Sequence, residues 1–173
     1  MITLYELTGA EDARRFSPYC WRIRMSLRHK GLEFQGVPWR FTEKERIAPA
    51  GAELVPVIRD GERWVHDSMA IAEYLEERYP DRPSLFGSPH GAALARFVAG
   101  WTDRTVQLNA SRPILMDIFT CLHPGDRDYF RTTREKRFGK QLEEVCPDPR
   151  AELPPFRLLL EPARRVLRKQ AYL

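Results

Sequence analysis

Cysteine is scarce in this chain: three residues in 173, at positions 20, 121 and 146. An odd count cannot close completely into disulfides, and the spacing fits neither a disulfide framework nor a zinc-ligand pattern. A reducing compartment is the expected setting, and no metal site is expected. Also lacking is any apolar run of about 18 residues, so no membrane-spanning helix is expected. The opening MITLYELTGAEDARR turns polar early and carries no signal-peptide core, which points to the cytoplasm. There is no internal repeat and no low-complexity tract. Helix-turn-helix, zinc-finger and RNP patterns are missing, as is a nucleophile elbow.

What is present describes an ordinary globular chain: 43% hydrophobic and 30% charged residues, with net charge +4. The basic excess is uneven. Residues 14 to 30 contain Arg14, Arg15, Arg22, Arg24, Arg28 and Lys30 and no acid. A nucleic-acid patch is one reading. A solvated helix face beside a small-anion site is the other, and it is preferred because no nucleic-acid motif accompanies the charge.

Along the chain, Ile2–Leu7 alternates as a strand does. Ser17-Pro18 has the form of a helix start, serine at N-cap and proline at N1. Cys20, Ile23 and Leu27 then share one face, and Gly31 is a natural stop. Leu32–Trp39 reads as a second strand, and residues 40–53 as mixed, with one short helix. Val55–Arg59 and Arg63–His66 flank Asp60-Gly61, a hairpin signal. Asp67-Ser68 opens a helix carrying Ile71, Tyr74 and Leu75. The order β-α-β-(α)-β-β-α, with a right-handed crossover making the first two strands parallel, is that of a thioredoxin-like fold. Beyond a proline-punctuated linker, PDRPSLFGSPH, the chain reads as helical over about 91–122, 124–145 and 150–171. The expected class is therefore α/β plus all-α: a thioredoxin-like domain at 1–80, a linker at 81–90 and a helical domain at 91–173.

Three places ask for chemistry. Ser17, at a helix N-terminus, combines a hydroxyl with outward N–H groups and suits an anion such as a thiolate; the plainer alternative is that it only caps its helix. Pro56, before a strand, has no N–H to offer a ladder. Were the Val55-Pro56 bond cis, the Val55 backbone would be free to pair with an extended ligand. His66-Asp67-Ser68 ends a hairpin and begins a helix, so Ser68 and the helix N–H groups suit a ligand carboxylate; here too a plain cap is the alternative. A Ser17/His66/Asp67 hydrolase is disfavoured because adjacent residues at a strand end point apart.

Residues 17–20, Ser-Pro-Tyr-Cys, resemble the Cys-Pro-Tyr-Cys turn of glutaredoxins with serine in place of the attacking thiol. Taken with VPVIRDG and HDSMAIAEYLEERYP, the stretch SPYCWRIRMSLRHKGLEF resembles the N-terminal domain of cytosolic glutathione S-transferases. FTEKERIA, YPDRPSLFG, MDIFTCLHPGDRDYFR and RFGKQLEEVCPD resemble the branch that holds bacterial β-aryl-ether-cleaving enzymes. The resemblance implies that Ser17 activates the thiol of glutathione, the co-substrate. It implies that Val55, ahead of a cis Pro56, pairs with the cysteinyl unit, and that Asp67 and Ser68 hold the γ-glutamyl end. Cys20 then becomes a packing residue, and thiol-disulfide exchange through it is the weaker reading. The resemblance also implies an apolar or aromatic electrophile, a homodimer, and neither nucleic-acid nor membrane partners. A non-catalytic glutathione-binding module is the alternative function. The family's Asn-Pro ahead of the third strand is replaced by APAGAELVP, leaving Arg40, Lys44 and Arg46 as candidates for the glycyl carboxylate. The chain stops at Ala171-Tyr172-Leu173, and the helical domain is expected to lack about the last third of its family's length.

Overall fold

The computed structural model describes residues 1–171. β1 (Ile2–Leu7) lies centrally in a four-stranded sheet of order β2-β1-β3-β4. β2 (Phe34–Trp39) runs parallel to β1, pairing Ile2 with Phe34 and Leu7 with Trp39. β3 (Val57–Asp60) runs antiparallel to both β1 and β4 (Arg63–His66). The crossover between β1 and β2 is α1 (Pro18–His29). Ser17 caps it by accepting a bond from Cys20 N–H, and Gly31 leaves it at φ 63°. α2 (Ser68–Arg78) follows the hairpin and is capped by Asp67. The two strands starting at 32 and 55 by alternation begin later, at Phe34 and Val57. Pro56 has no N–H for the ladder, which explains the second of these. Residues 40–53 hold two single 3₁₀ turns, Lys44–Arg46 and Ala48–Ala50.

The two sheet faces carry separate cores. On one, Ile2, Leu4 and Ile58 meet Ile23 and Leu27 of α1 and Ile71 and Leu75 of α2. Each such buried aliphatic side chain contributes about 1.5–3 kcal/mol. On the other, Leu7, Trp39 and Val57 join Phe41 and Ile47 and then Leu115, Leu122, Phe130, Leu142 and Val145 from the helical region. The second core is therefore shared between the two halves of the chain.

The helical region begins with α3 (Pro89–Trp101), capped by Ser88. A five-residue π-helical segment, Thr102–Val106, then joins it to α4 (Gln107–Ser111), with Gln107 N–H donating to Thr102 C=O. α5 (Leu115–Cys121) follows the break at Pro113. α6 (Arg127–Phe138) ends at Gly139, φ 65°, earlier than a helix over 124–145 would. The last expected helix is two: α7 (Leu153–Leu159) and α8 (Glu161–Leu167), divided where Pro162 starts a new first turn.

The halves are locked at the loop after β1. Ala10 N–H donates to Cys121 C=O at 2.8 Å. A Cβ on Gly9 would stand 2.5 Å from that oxygen, so only glycine permits the approach. Asp126, fully buried, accepts from the Thr42 N–H and hydroxyl. The basic run of residues 14–30 is largely neutralised by acids elsewhere. Arg15 and Arg24 converge on buried Glu6, Lys30 meets Glu76, Arg14 meets Glu11, and Arg22 meets Asp103. That pairing favours the small-anion reading over a nucleic-acid patch. Among the described residues, no helix is long and apolar enough to cross a membrane.

Candidate functional site

One cavity of about 670 Å³ opens between the sheet's helical-region face and the helices packed on it. Its first wall consists of the start of α1 (Phe16, Ser17, Pro18, Tyr19), then Leu54, Val55 and Asp67. Its second wall comes from the π segment and α4 (Asp103, Arg104, Gln107, Leu108, Ser111), from Leu115 and Ile118 of α5, and from Phe130, Arg134, Arg137 and Phe138 at α6. Trp39 and Phe41 form the floor.

Ser17 is buried, and its Oγ accepts from Cys20 N–H at 3.3 Å. A hydroxyl that accepts in its cap keeps its own hydrogen to donate. Cys20 is fully buried behind it and accepts from Leu7 N–H. Burial, partly offset by the Ser17 hydroxyl, pushes the Cys20 thiol up to about 11. A thiol held there is protonated at neutral pH and unreactive. Val55 precedes a cis Val55-Pro56 bond. It lies outside the β3 ladder, and no described backbone bond uses its N–H or C=O.

Asp67 has φ 71°, a left-handed backbone unusual for a residue other than glycine. Its Oδ1 accepts from Met69 and Ala70 N–H at 2.9 and 3.0 Å, and among the described residues no bond uses Oδ2. Ser68 is buried, and its Oγ accepts from Arg22 Nη1 at 2.9 Å. The other arm of Arg22 donates to Asp103 Oδ1 at 2.7 Å. One guanidinium thus ties the start of α2 to the π segment.

The sequence matches two family descriptions, "Glutathione S-transferase, N-terminal domain" over residues 16–78 and "Glutathione S-transferase, C-terminal domain" over 93–171. The chain belongs to the glutathione S-transferase superfamily. Its fold is that of a transferase: a thioredoxin-like domain followed by a helical one. A solved glutathione S-transferase of Ceriporiopsis subvermispora, crystallised with glutathione, superposes with TM-score 0.82 at 28% identity over 96% of this chain and 73% of that one. A glutathione transferase of Phanerochaete chrysosporium gives TM-score 0.73 at 31% identity over 83% of this chain and 64% of that one. A zeta-class glutathione S-transferase of Euphorbia esula is 34% identical over 62% of this chain and 50% of its own length. The chain spans half or less of the length of the curated relatives it matches.

Set in a transferase frame, the residues singled out from sequence divide in two. Ser17, Val55 and Asp67 share the first wall of the cavity. Pro56 and Ser68 lie behind it, buried, and shape it rather than line it. Arg40, Lys44 and Arg46 are all engaged away from the cavity. Arg40 pairs with Asp12, Lys44 with Glu53, and Arg46 with Glu43. His66 is not on the wall either. An apolar wall from the helical region was expected from sequence, but none of its residues was named. The arginines at 134 and 137, three apart in an evident helix, were its one readable signal.

Proposed function

We propose that this chain binds glutathione along the first wall and activates its thiol for attack on an apolar or aromatic electrophile held by the second. The observation carrying this reading is the cavity itself, which joins a helix-capping serine, an unpaired backbone at Val55 and the Asp67 helix start to a wall of aromatic and aliphatic side chains. Ser17 is the proposed catalytic residue: its hydroxyl hydrogen and the α1 N-terminus favour a thiolate over a thiol. Val55 would pair with the cysteinyl backbone, held in place by Pro56. Asp67 Oδ2 would take the γ-glutamyl ammonium, with Ser68 contributing through its N–H and its tie to Arg22. Residues 1–80 serve glutathione, 91–173 serve the electrophile, and 81–90 join them.

Within this reading the electrophile is a β-aryl ether. Support comes from the resemblance of the FTEKERIA and MDIFTCLHPGDRDYFR stretches and from the aromatic floor of Trp39 and Phe41. The thiolate sulfur would bond to carbon, the carbon–oxygen bond would break, and the electron pair would leave on a phenolate. The proposed assembly is a cytoplasmic homodimer, for which the exposed Leu94 and Phe97 of α3 offer an apolar face. Retention on immobilised glutathione and a thermal shift at millimolar glutathione test the first half of the proposal; release of phenol from a model aryl ether tests the second. A protein that flows through the column with no thermal shift does not bind glutathione, and the proposal fails there.

A further inference from the structure

We propose, building on the glutathione reading above, that the second substrate is an aromatic acid and that Arg134 with Arg137 selects its carboxylate. Both arginines line the second wall. They stand three apart on α6, a spacing that puts two side chains on neighbouring positions of one helix face. Like charges so placed repel, and among the described residues no carboxylate pairs with either. Arg14, Arg15, Arg22, Arg24, Arg40, Arg46, Arg96, Arg112 and Arg131 each have an acid partner, whereas Arg104, also on the second wall, has none among the described residues and adds to its positive charge. The carboxylate nearest the cavity on the helical side, Asp103, is already engaged by Arg22.

Arg134 is also built in place. Its guanidinium lies over the rings of Phe130 at 4.5 Å and Phe41 at 5.3 Å, and Nη1 donates to the Thr133 hydroxyl. Burial and the nearby charge of Arg137 both disfavour its charged form. A planar guanidinium laid on aromatic faces keeps its remaining edge N–H groups for an in-plane acceptor, the geometry that suits a carboxylate. The same rings, with Tyr19 across the cavity, offer an aromatic substrate its apolar contacts. Charge and ring surface are thus supplied side by side, which a plain hydrocarbon electrophile would not use. The competing occupant of the arginines is the glycyl carboxylate of glutathione itself.

Two matched ligand pairs decide between these. S-benzylglutathione and S-(4-carboxybenzyl)glutathione differ only in the carboxylate, and calorimetric titration gives their dissociation constants. 4-Methylbenzoate and 4-methylbenzamide, followed by ligand-observed NMR, repeat the comparison without glutathione. The wild-type chain is expected to prefer each acid by about tenfold. R137Q, at an exposed position, should reduce that preference, and R134K should keep part of it. R134Q/R137Q, checked for folding by circular dichroism, should abolish it, leaving the acid and the neutral member of each pair equal in affinity. Equal binding within both pairs, or a preference surviving in the double variant, overturns the proposal. So does a loss of affinity for glutathione itself as large as the loss for the carboxylated conjugate, which would assign the arginines to the glycyl carboxylate. If neither conjugate binds while the benzoate is still preferred over the benzamide, the glutathione reading fails and the selection of an aromatic acid stands.

Discussion

The two walls of the cavity are made in different ways. The first rests on backbone features of one short region: a helix cap at Ser17, an unpaired peptide at Val55, a left-handed cap at Asp67. The second is assembled from side chains of four helical stretches between residues 103 and 138, none of which contributes more than a few groups. A wall of backbone features tolerates substitution of most surrounding side chains, because its polar groups belong to every residue. A wall of side chains changes character with each substitution. Under the proposed function, this division would give a constant site for glutathione and an adjustable one for the electrophile.

Truncating the second wall is the strongest way to test that division. Phe130→Ala removes a buried ring that contacts Phe41, Phe119 and the Arg134 guanidinium. A loss of about 3–5 kcal/mol in urea unfolding is expected. Affinity for glutathione, measured under conditions where the variant remains folded, should fall by less than about threefold. A larger fall would mean the walls are not separable.

Behind the first wall, Cys20 probes whether the glutaredoxin-like position is inert. The unfolded thiol ionises near 9 and the folded one near 11. Above pH 9 the unfolded chain therefore sheds a proton that the folded chain keeps, and stability falls as pH rises toward 11. The lost contribution is on the order of 2 kcal/mol, read as a steeper decline for wild type than for Cys20→Ala. Iodoacetamide at pH 8 should label Cys20 only after unfolding. Rapid labelling of the native protein at Cys20 would revive thiol-disulfide chemistry there.

Ser17→Ala should cost about 1 kcal/mol as a lost cap. It should also raise the thiol pKa of bound glutathione by about one unit and slow conjugation about tenfold at neutral pH. Unchanged conjugation with a lowered melting temperature would reduce Ser17 to a cap. The smallest effect is expected outside the cavity. Arg96→Gln breaks an exposed pair with Glu73 and should move stability by no more than about 0.5 kcal/mol, with glutathione and aromatic ligands unaffected. If light scattering shows that this substitution changes assembly, α3 belongs to an interface.

The same contrast explains what could be read from sequence. The first wall was legible because its pieces carry local signals: Ser-Pro at a helix start, proline before a strand, Asp-Ser after a hairpin. The parallel pairing of β1 with β2 followed from a crossover of sufficient length. Ser68 carries the same local signal, but its tie to Arg22, distant in sequence, had none. The second wall was opaque for a similar reason. Phe41 sits in a stretch without periodicity, and its place under Arg134 depends on packing across the two halves. The end of α6 at Gly139 was marked by its glycine, yet the helical pattern running past it masked the stop. The π segment gave no sign at all, since WTDRTV contains neither glycine nor proline.

That segment makes the second wall of the cavity behave like a gear train. A helix advances about 100° per residue, and π turns interrupt that count at functional sites. With Gln107 N–H reaching back to Thr102 rather than Asp103, everything downstream is indexed one tooth on from an uninterrupted α-helix. Removing a single residue between 102 and 106 would let the Gln107 N–H meet Thr102 C=O as an ordinary α-helical bond, leaving Gln107, Leu108 and Ser111 facing the cavity. The same deletion made in the regular turns of α3 has no such slack to take up and would turn those three side chains away by about 100°. The wall thus stores one residue of chain length that its face never registers, and where a deletion falls, more than what it removes, decides whether the lining changes.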